Sequence, residues 1–323
     1  MWFELDRGAI LVNELDATQR DLLDAVPLNL CGEALATVPF ARLSVRPAAI
    51  AELEQSLTEA QGRATTRLEL TSPPEVGPET LILGGEWGSL IAVPGHAMAT
   101  LGPRLDTADV LIAAPTTLAA QAVTAGAVLS LTAERGYFPV HASMASLDGT
   151  SVMFLGERSR GKTSSCLALG RAGWTVLADD RCYVHGAETR PLVWGPGGAM
   201  RLRPDAARLW ADLAEPMGRS RRWSLKAIVE AEDLAVTAAA GSATPRALFL
   251  PQVRGRGDHD VSAVSQTEAL SEVLCSTGLV MLPRHAAGQF AALTGLVRSA
   301  PCYRLVLGED MSSLPGVIEA AVA

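Results

Sequence analysis

At 323 residues, with 48% hydrophobic content, the chain is long enough for one large domain or two ordinary ones around a substantial core. A formal net charge of −8 argues against a nucleic-acid partner, which needs a basic face. The longest apolar stretches are strand-length or carry polar residues at helical spacing, and the start MWFELDRG lacks a basic segment followed by an apolar one, so neither a membrane span nor secretion is expected.

In chain order, residues 1–15 alternate about a turn at Asp6-Arg7-Gly8, which predicts a hairpin of Trp2–Leu5 and Ala9–Leu15. A short amphipathic helix is expected over 17–25, a strand near Ala41–Val45, and a helix opened by Pro47 and running to about Ala60. Residues 65–71 alternate as a strand, Ser72–Pro78 is a turn-rich break, and Thr80–Leu83 with Ser89–Val93 form a second hairpin through Gly84–Gly88. From Asp106 to Glu134 the chain is mostly small and apolar, with at least one long buried helix, over about Thr116–Glu134. Strands are predicted at Tyr137–Ser146 and Ser151–Leu155, joined at Asp148-Gly149, then a helix over Lys162–Ala172 capped by Gly173, and a strand at Trp174–Ala178. Further strands are expected near Pro191–Trp194, Leu225–Glu230, Ala247–Pro251 and Tyr303–Leu307. Helices are expected over Asp205–Leu213, 266–276 and 285–297 and at the C-terminal end. This divides the chain into a smaller α+β module, 1–95, without a chemical signature, and an α/β domain, 96–323.

The chemistry concentrates in 151–180. The run Val152–Leu155 meets Gly156, Glu157, Arg158, Ser159, Arg160, Gly161, Lys162 and Thr163, which fits G-x-x-x-x-G-K-[ST], with Ser164 next in the helix. Strand, glycine loop, helix, strand and the acid pair Asp179-Asp180 are the layout of a P-loop phosphate site. Backbone N–H groups of such a loop cradle phosphates, and the following helix N-terminus adds a favourable dipole. Lys162 would neutralise the β- and γ-phosphates of ATP and Thr163 would hold Mg²⁺. Past a strand end both acids can face one cleft, one serving the metal directly or through water, the other accepting a proton from an attacking hydroxyl. His141 lies on the strand leading to the loop; a lone histidine there is more often structural than catalytic, and the residues alone leave both roles open. The chain has only two lysines among its 27 basic residues, Lys162 and Lys226. Lys226 and the loop Arg219-Ser-Arg-Arg222 either approach a triphosphate or an acidic substrate, or are solvated, and Arg201 and Arg203 carry the same ambiguity. The remaining histidines (His96, His185, His259, His285) have no metal-ligand spacing. The five cysteines (Cys31, Cys166, Cys182, Cys275, Cys302) have no CxxC, which reads as reduced thiols of a cytoplasmic protein.

His141, Gly156 fifteen residues later, Lys162-Thr163, and Asp179-Asp180 seventeen and eighteen beyond the lysine resemble the catalytic domain of the HPr kinase/phosphorylase family. These are ATP-dependent serine kinases with a P-loop inside a phosphoenolpyruvate-carboxykinase-like fold, and the spacing agrees over about 40 residues without a gap. By that resemblance His141 matches the active-site histidine, Lys162 the P-loop lysine and Thr163 the metal-binding serine. Asp180 matches the proton acceptor, and Asp179 would support the metal. Two departures stand out. Ser159 replaces a usual loop glycine. The metal-binding Glu of an E-[IV]-R-G-x-G-like stretch has no clean equivalent in Gly198–Asp205, where Asp205 is a weak substitute. The layout is closer to divergent HPr-kinase-related proteins found beside peptide-modification enzymes.

The resemblance implies a Mg²⁺-dependent ATP phosphotransferase of HPr-kinase-like type. Its acceptor would be a Ser/Thr hydroxyl on a peptide or protein, with the N-terminal module helping to choose it. No nucleic-acid or membrane partner is expected, and a homo-oligomer stays open. A small-molecule kinase acting on a hydroxy amino acid, a nucleotide-binding scaffold in a biosynthetic complex, and a nucleotide hydrolase are the alternatives.

Overall fold

The computed structural model describes residues 2–5, 8–12, 30–31, 39–70, 79–114, 117–185, 191–223, 225–277 and 282–323. The expected turn at Asp6-Arg7, the helix over 17–25 and the break at Ser72–Pro78 lie outside these. The chain separates into two units, Met1–Arg135 with Val280–Ala286, and Gly136–Leu279 with Ala287–Ala323.

The first unit contains β1 (Trp2–Leu5), β2 (Gly8–Val12), β3 (Leu30–Cys31), β4 (Ala41–Pro47), α1 (Ile50–Arg63), β5 (Thr66–Leu70), β6 (Thr80–Gly85), β7 (Gly88–Val93), β8 (Ala97–Leu101), β9 (Thr107–Ile112) and α2 (Leu118–Glu134). Its strands form one mixed sheet in the order β3-β1-β2-β4-β9-β8-β7-β6-β5. The second predicted hairpin is β6 and β7, with Leu83 opposite Leu90. One sheet face packs Leu81, Leu83, Leu90, Ala92 and Met98 against Leu53 and Ala60 of α1. The small-residue helix α2 is buried along most of its length. Its Thr124 and Ser130 hydroxyls donate back to Ala120 and Gly126 one turn earlier, which satisfies them without a partner element.

The boundary between units thus falls at 135/136 and not at the expected 95/96. The reason is pairing: β8 ladders onto β7, β9 joins β8 to β4, and α2 packs on β7, β8 and β9. The run from Asp106 to Glu134 also holds a strand, β9, beside the expected helix.

The second unit contains β10 (Phe138–Val140), β11 (Ala142–Leu147), β12 (Thr150–Leu155), α3 (Lys162–Arg171), β13 (Thr175–Ala178), β14 (Cys182–His185), β15 (Leu192–Gly195), β16 (Met200–Leu202), α4 (Ala206–Leu209), α5 (Ala214–Arg219), β17 (Arg222–Trp223), β18 (Lys226–Val229), β19 (Thr237–Ala238), β20 (Gly241–Ala243), β21 (Ala247–Val253), β22 (Asp260–Ala263), α6 (Gln266–Thr277), α7 (Ala286–Ser299, apart from its first residue), β23 (Cys302–Leu307) and α8 (Leu314–Val322). Its main sheet runs β19-β13-β11-β12-β21-β23-β22, beside a sheet β10-β14-β15-β20 and a small one, β16-β18-β17.

Alternation along β12 explains its unbroken apolar run. Val152 and Phe154 join a core with Leu167 and Leu169 of α3 and Leu314 and Ile318 of α8, while Met153 and Leu155 join one with Val273 of α6 and Leu293 and Leu296 of α7. Both faces are covered, as in the mostly parallel sheets of α/β proteins. The fold is a mixed α/β one.

Two expectations change here. The single strand Tyr137–Ser146 is two, β10 and β11, because the chain passes from pairing with β14 to pairing with β12 and β13, and His141 sits at that break. The helix over Asp205–Leu213 is interrupted at Trp210, whose backbone is extended, and continues as a 3₁₀ turn and α5.

Candidate active site

Sheet direction brings the candidate residues together. β11 runs antiparallel to both β12 and β13, with Ala142 opposite Leu155 and Met144 opposite Ala178. The start of β11 therefore lies at the C-terminal ends of β12 and β13. His141, Gly156 and Asp179 step off three neighbouring strands at one sheet end, the end at which open α/β sheets bind ligands. The strands β21 and β23, parallel to β12, also end there, and Leu307 and Val253 flank the glycine loop.

Gly161 takes φ +102, and a Cβ on it would run into Leu307 Cδ1, so a side chain at this position would collide as the loop turns into α3. Ser159 takes φ +63, a left-handed backbone that favours glycine; this is the position where the resemblance leads one to expect glycine. Glu157, Arg158, Ser159 and Arg160 are exposed, with Arg160 ion-paired to Glu157 at 3.0 Å, and Ser164 is half-buried in the first turn of α3. Lys162 is only 6% exposed. Its Nζ donates to the carbonyls of Gly156 (2.7 Å) and Glu157 (2.8 Å), which folds the loop back over the ammonium and leaves one of its three donors. Burial, helped by nearby Lys226 and opposed by Asp180 and Asp179, brings the Lys162 ammonium down to about 8.

The adjacent acids are treated differently. Asp179 is buried and held by three neutral donors: Thr163 Oγ1 (2.8 Å) and Ser143 Oγ (2.7 Å) to Oδ1, and the Arg201 backbone N–H (2.7 Å) to Oδ2. Asp180 takes φ +70, an uncommon conformation that aspartate tolerates better than most residues. The Lys226 ammonium donates to its Oδ1 at 2.6 Å, and its Oδ2 accepts no hydrogen bond among the described residues. Burial would raise the Asp180 carboxyl, but Lys226, by charge and hydrogen bond, with His141 and Arg201, outweighs it and holds the group well below the usual carboxylate range.

His141 Nδ1 lies 2.7 Å from the Asp180 carbonyl oxygen. A carbonyl only accepts, so this contact assigns the proton to Nδ1 and the lone pair to Nε2. Burial, then the Lys162 charge, lower the His141 pKa to about 4 against the pull of Asp180, so the ring is neutral at pH 7. The histidine therefore holds the Asp180 backbone in its left-handed turn. Its own N–H is 3.3 Å from the Thr277 hydroxyl of α6.

The set Gly156–Ser164, His141, Asp179 and Asp180 is thus one cluster, and Lys226 joins it. Arg201 also bears on Asp180 by its charge, whereas Arg219 and Arg203 are engaged elsewhere. Arg219 pairs with Glu215 and Asp233, and Arg203 pairs with Asp205 at 3.5 Å on the surface, so Asp205 is engaged away from the acid pair. Ser143, Thr277 and the Arg201 backbone were not singled out from sequence; they become visible only through pairing. Nor was Glu272, whose Oε2 stands 3.6 Å from where a Cβ on Gly156 would be and whose Oε1 pairs with Arg304 at 2.6 Å. Lys226 alone carried a signal, the scarcity of lysine.

Among the described residues no group of three or more His, Cys, Asp or Glu side chains is arranged to hold a metal. Mg²⁺ needs no such cage: it keeps several waters and binds one or two protein groups plus phosphate oxygens. Thr163 Oγ1 beside a fully engaged Asp179 carboxylate fits that hydrated mode, with the acid acting through water.

No family model matches the chain, and no curated protein matches it. Among solved structures, the Hpr(Ser) kinase/phosphatase from Coxiella burnetii is similar over 57% of this chain and 93% of that one, at 13% identity and a TM-score of 0.27. A score of that size establishes no shared fold.

Proposed function

We propose that the chain is an ATP-dependent phosphotransferase that transfers the γ-phosphoryl group to a Ser/Thr hydroxyl of a peptide or protein. The observation that carries this reading is a single cluster containing a phosphate-loop lysine with a donor to spare and an ionised carboxylate, Asp180, with one oxygen unengaged. The acceptor oxygen attacks the γ-phosphorus and forms the new P–O bond. The bond from phosphorus to the β,γ-bridging oxygen breaks, its electron pair leaves with ADP, and the hydroxyl proton passes to Asp180 Oδ2. A carboxylate held far below its usual pKa is a weak base. It suffices, because phosphoryl transfer has a loose transition state in which positioning and charge matter more than strong deprotonation.

Lys162 and the loop N–H groups bind the phosphates, and the α3 N-terminus adds its dipole. Mg²⁺, held by Thr163 Oγ1 and through water by Asp179, would supply neutralisation of charge on the β- and γ-phosphate oxygens. His141 fixes the Asp180 backbone and neither gives nor takes the transferred proton.

The test is transfer of labelled γ-phosphate to peptides bearing Ser or Thr, to free hydroxy amino acids and to water. Peptide labelling should fall about 10²–10⁴-fold in Asp180→Asn while nucleotide binding persists. Labelling of amino acids alone would move the acceptor class to small molecules. Hydrolysis as fast without acceptor as with one would make the chain a hydrolase, and nucleotide binding without any turnover would make it a scaffold.

A further inference from the structure

The two acids of Asp179-Asp180 are told apart by one small sheet. In β16-β18-β17, Arg201 pairs with Ile228 and Leu202 with Ala227. From β16 the Arg201 backbone N–H reaches Asp179 Oδ2, and from the first residue of β18 the Lys226 ammonium reaches Asp180 Oδ1. The same element thus gives one carboxylate a neutral donor and the other a full charge. The Lys226–Asp180 pair is largely shielded, with side chains 22% and 15% exposed, so salt screens it little and desolvation taxes it. In a chain with only two lysines among 27 basic residues, both lie in this cluster. A lysine ammonium is a compact point charge that can grip one carboxylate oxygen, whereas the arginine fork favours both.

We propose that Lys226 is the positioning residue of the proton-accepting acid: by gripping Oδ1 of Asp180 it fixes the rotation of the carboxylate and leaves Oδ2 to the incoming hydroxyl. This rests on the reading of Asp180 as the proton acceptor. Lys226 acts through Asp180 and not on the nucleotide phosphates, which are the task of Lys162 and the loop. His141 fixes the same residue from the other side, by its carbonyl oxygen. Backbone and carboxylate of Asp180 are therefore each held by one partner.

The test uses the full chain with the acceptor that the labelling experiment identifies. Lys226→Met should lower kcat about 100-fold, the scale of an ångström-sized misplacement of a reacting group. The dissociation constant for a non-hydrolysable ATP analogue should stay within about threefold, since the phosphate contacts are untouched. Lys226→Arg should recover part of the loss, and Lys226→Met placed on Asp180→Asn should cost nothing further, the non-additivity expected of two residues acting as a unit. Wild-type turnover in Lys226→Met would overturn the inference. So would a loss of analogue binding parallel to the loss of kcat, which would make Lys226 a phosphate ligand. Should Lys226→Met not fold, Lys226→Gln, of similar length and uncharged, serves the same comparison with a melting curve as control. If Asp180→Asn keeps full transfer, the reading of Asp180 itself fails. If Asp180→Asn loses transfer and Lys226→Met does not, only the role of Lys226 fails.

Discussion

The two units differ in the polarity they bury. In Met1–Arg135 the buried polar side chains among the described residues are hydroxyls, Thr80, Thr124, Ser130 and Thr132, three of which bond back onto their own helix, and the segment Val280–Ala286 of the same unit adds the buried His285. In the second unit a lysine and an aspartate, Lys162 and Asp179, are buried at one sheet end, with the Asp180–Lys226 pair beside them. Burying an ion costs several kcal/mol unless partners replace its water. The second unit meets that cost with three donors on Asp179, two carbonyls on Lys162 and an ammonium on Asp180. One sheet is built mainly for cohesion, and the other carries a local electrostatic load at the ends of three strands.

The largest expected effects come from a pair of substitutions, one in each unit. Asp179→Ala strands the Thr163 and Ser143 hydroxyls and the Arg201 N–H, and should cost about 3 kcal/mol or more in thermal unfolding and also abolish transfer. Leu90→Ala, in the core of the first unit, should cost a similar amount, about 3 kcal/mol, yet leave phosphoryl transfer per folded molecule unchanged. Equal losses of transfer from both would erase the functional distinction between the units.

A pH-dependent effect of similar size is confined to the second unit. His141 titrates at about 4 in the folded chain against 6.5 for the ordinary group, so between those values the unfolded chain binds a proton that the folded one refuses. The contribution is intact above pH 6.5 and is lost as pH falls to 4, about 3 kcal/mol in all at 1.36 kcal/mol per unit. His141→Gln should flatten the stability profile in that window, read by denaturant unfolding at several pH values. An unchanged slope would mean that another group carries the acid sensitivity.

Much of this site was legible in the sequence because its parts are contiguous. A strand buried on both faces reads as the apolar run Val152–Leu155, and Gly161, at φ +102, turns the loop into the helix that Lys162 opens. The acid pair directly follows the next buried strand, Thr175–Ala178. What escaped depends on distant pairing. The break at His141 is silent, since the apolar pattern continues while the partner strands change. Lys226, 46 residues past Asp180, meets it only because β18 pairs with β16. The extent of the first unit was likewise hidden, because β8 and β9 are set by ladders to β7 and β4 and not by composition.

Phosphate binding by Lys162 at this sheet end is the step on which the proposed transfer depends. Calorimetric titration of the full chain with ATP and Mg²⁺ tests it most directly, in wild type and in Lys162→Ala. Binding at one site, weakened about 100-fold or more by the substitution, is the predicted result, since a preorganised cation on phosphate oxygens is worth at least that much. Equal affinity in the two proteins, or no binding by either, would rule out Lys162 as a phosphate ligand.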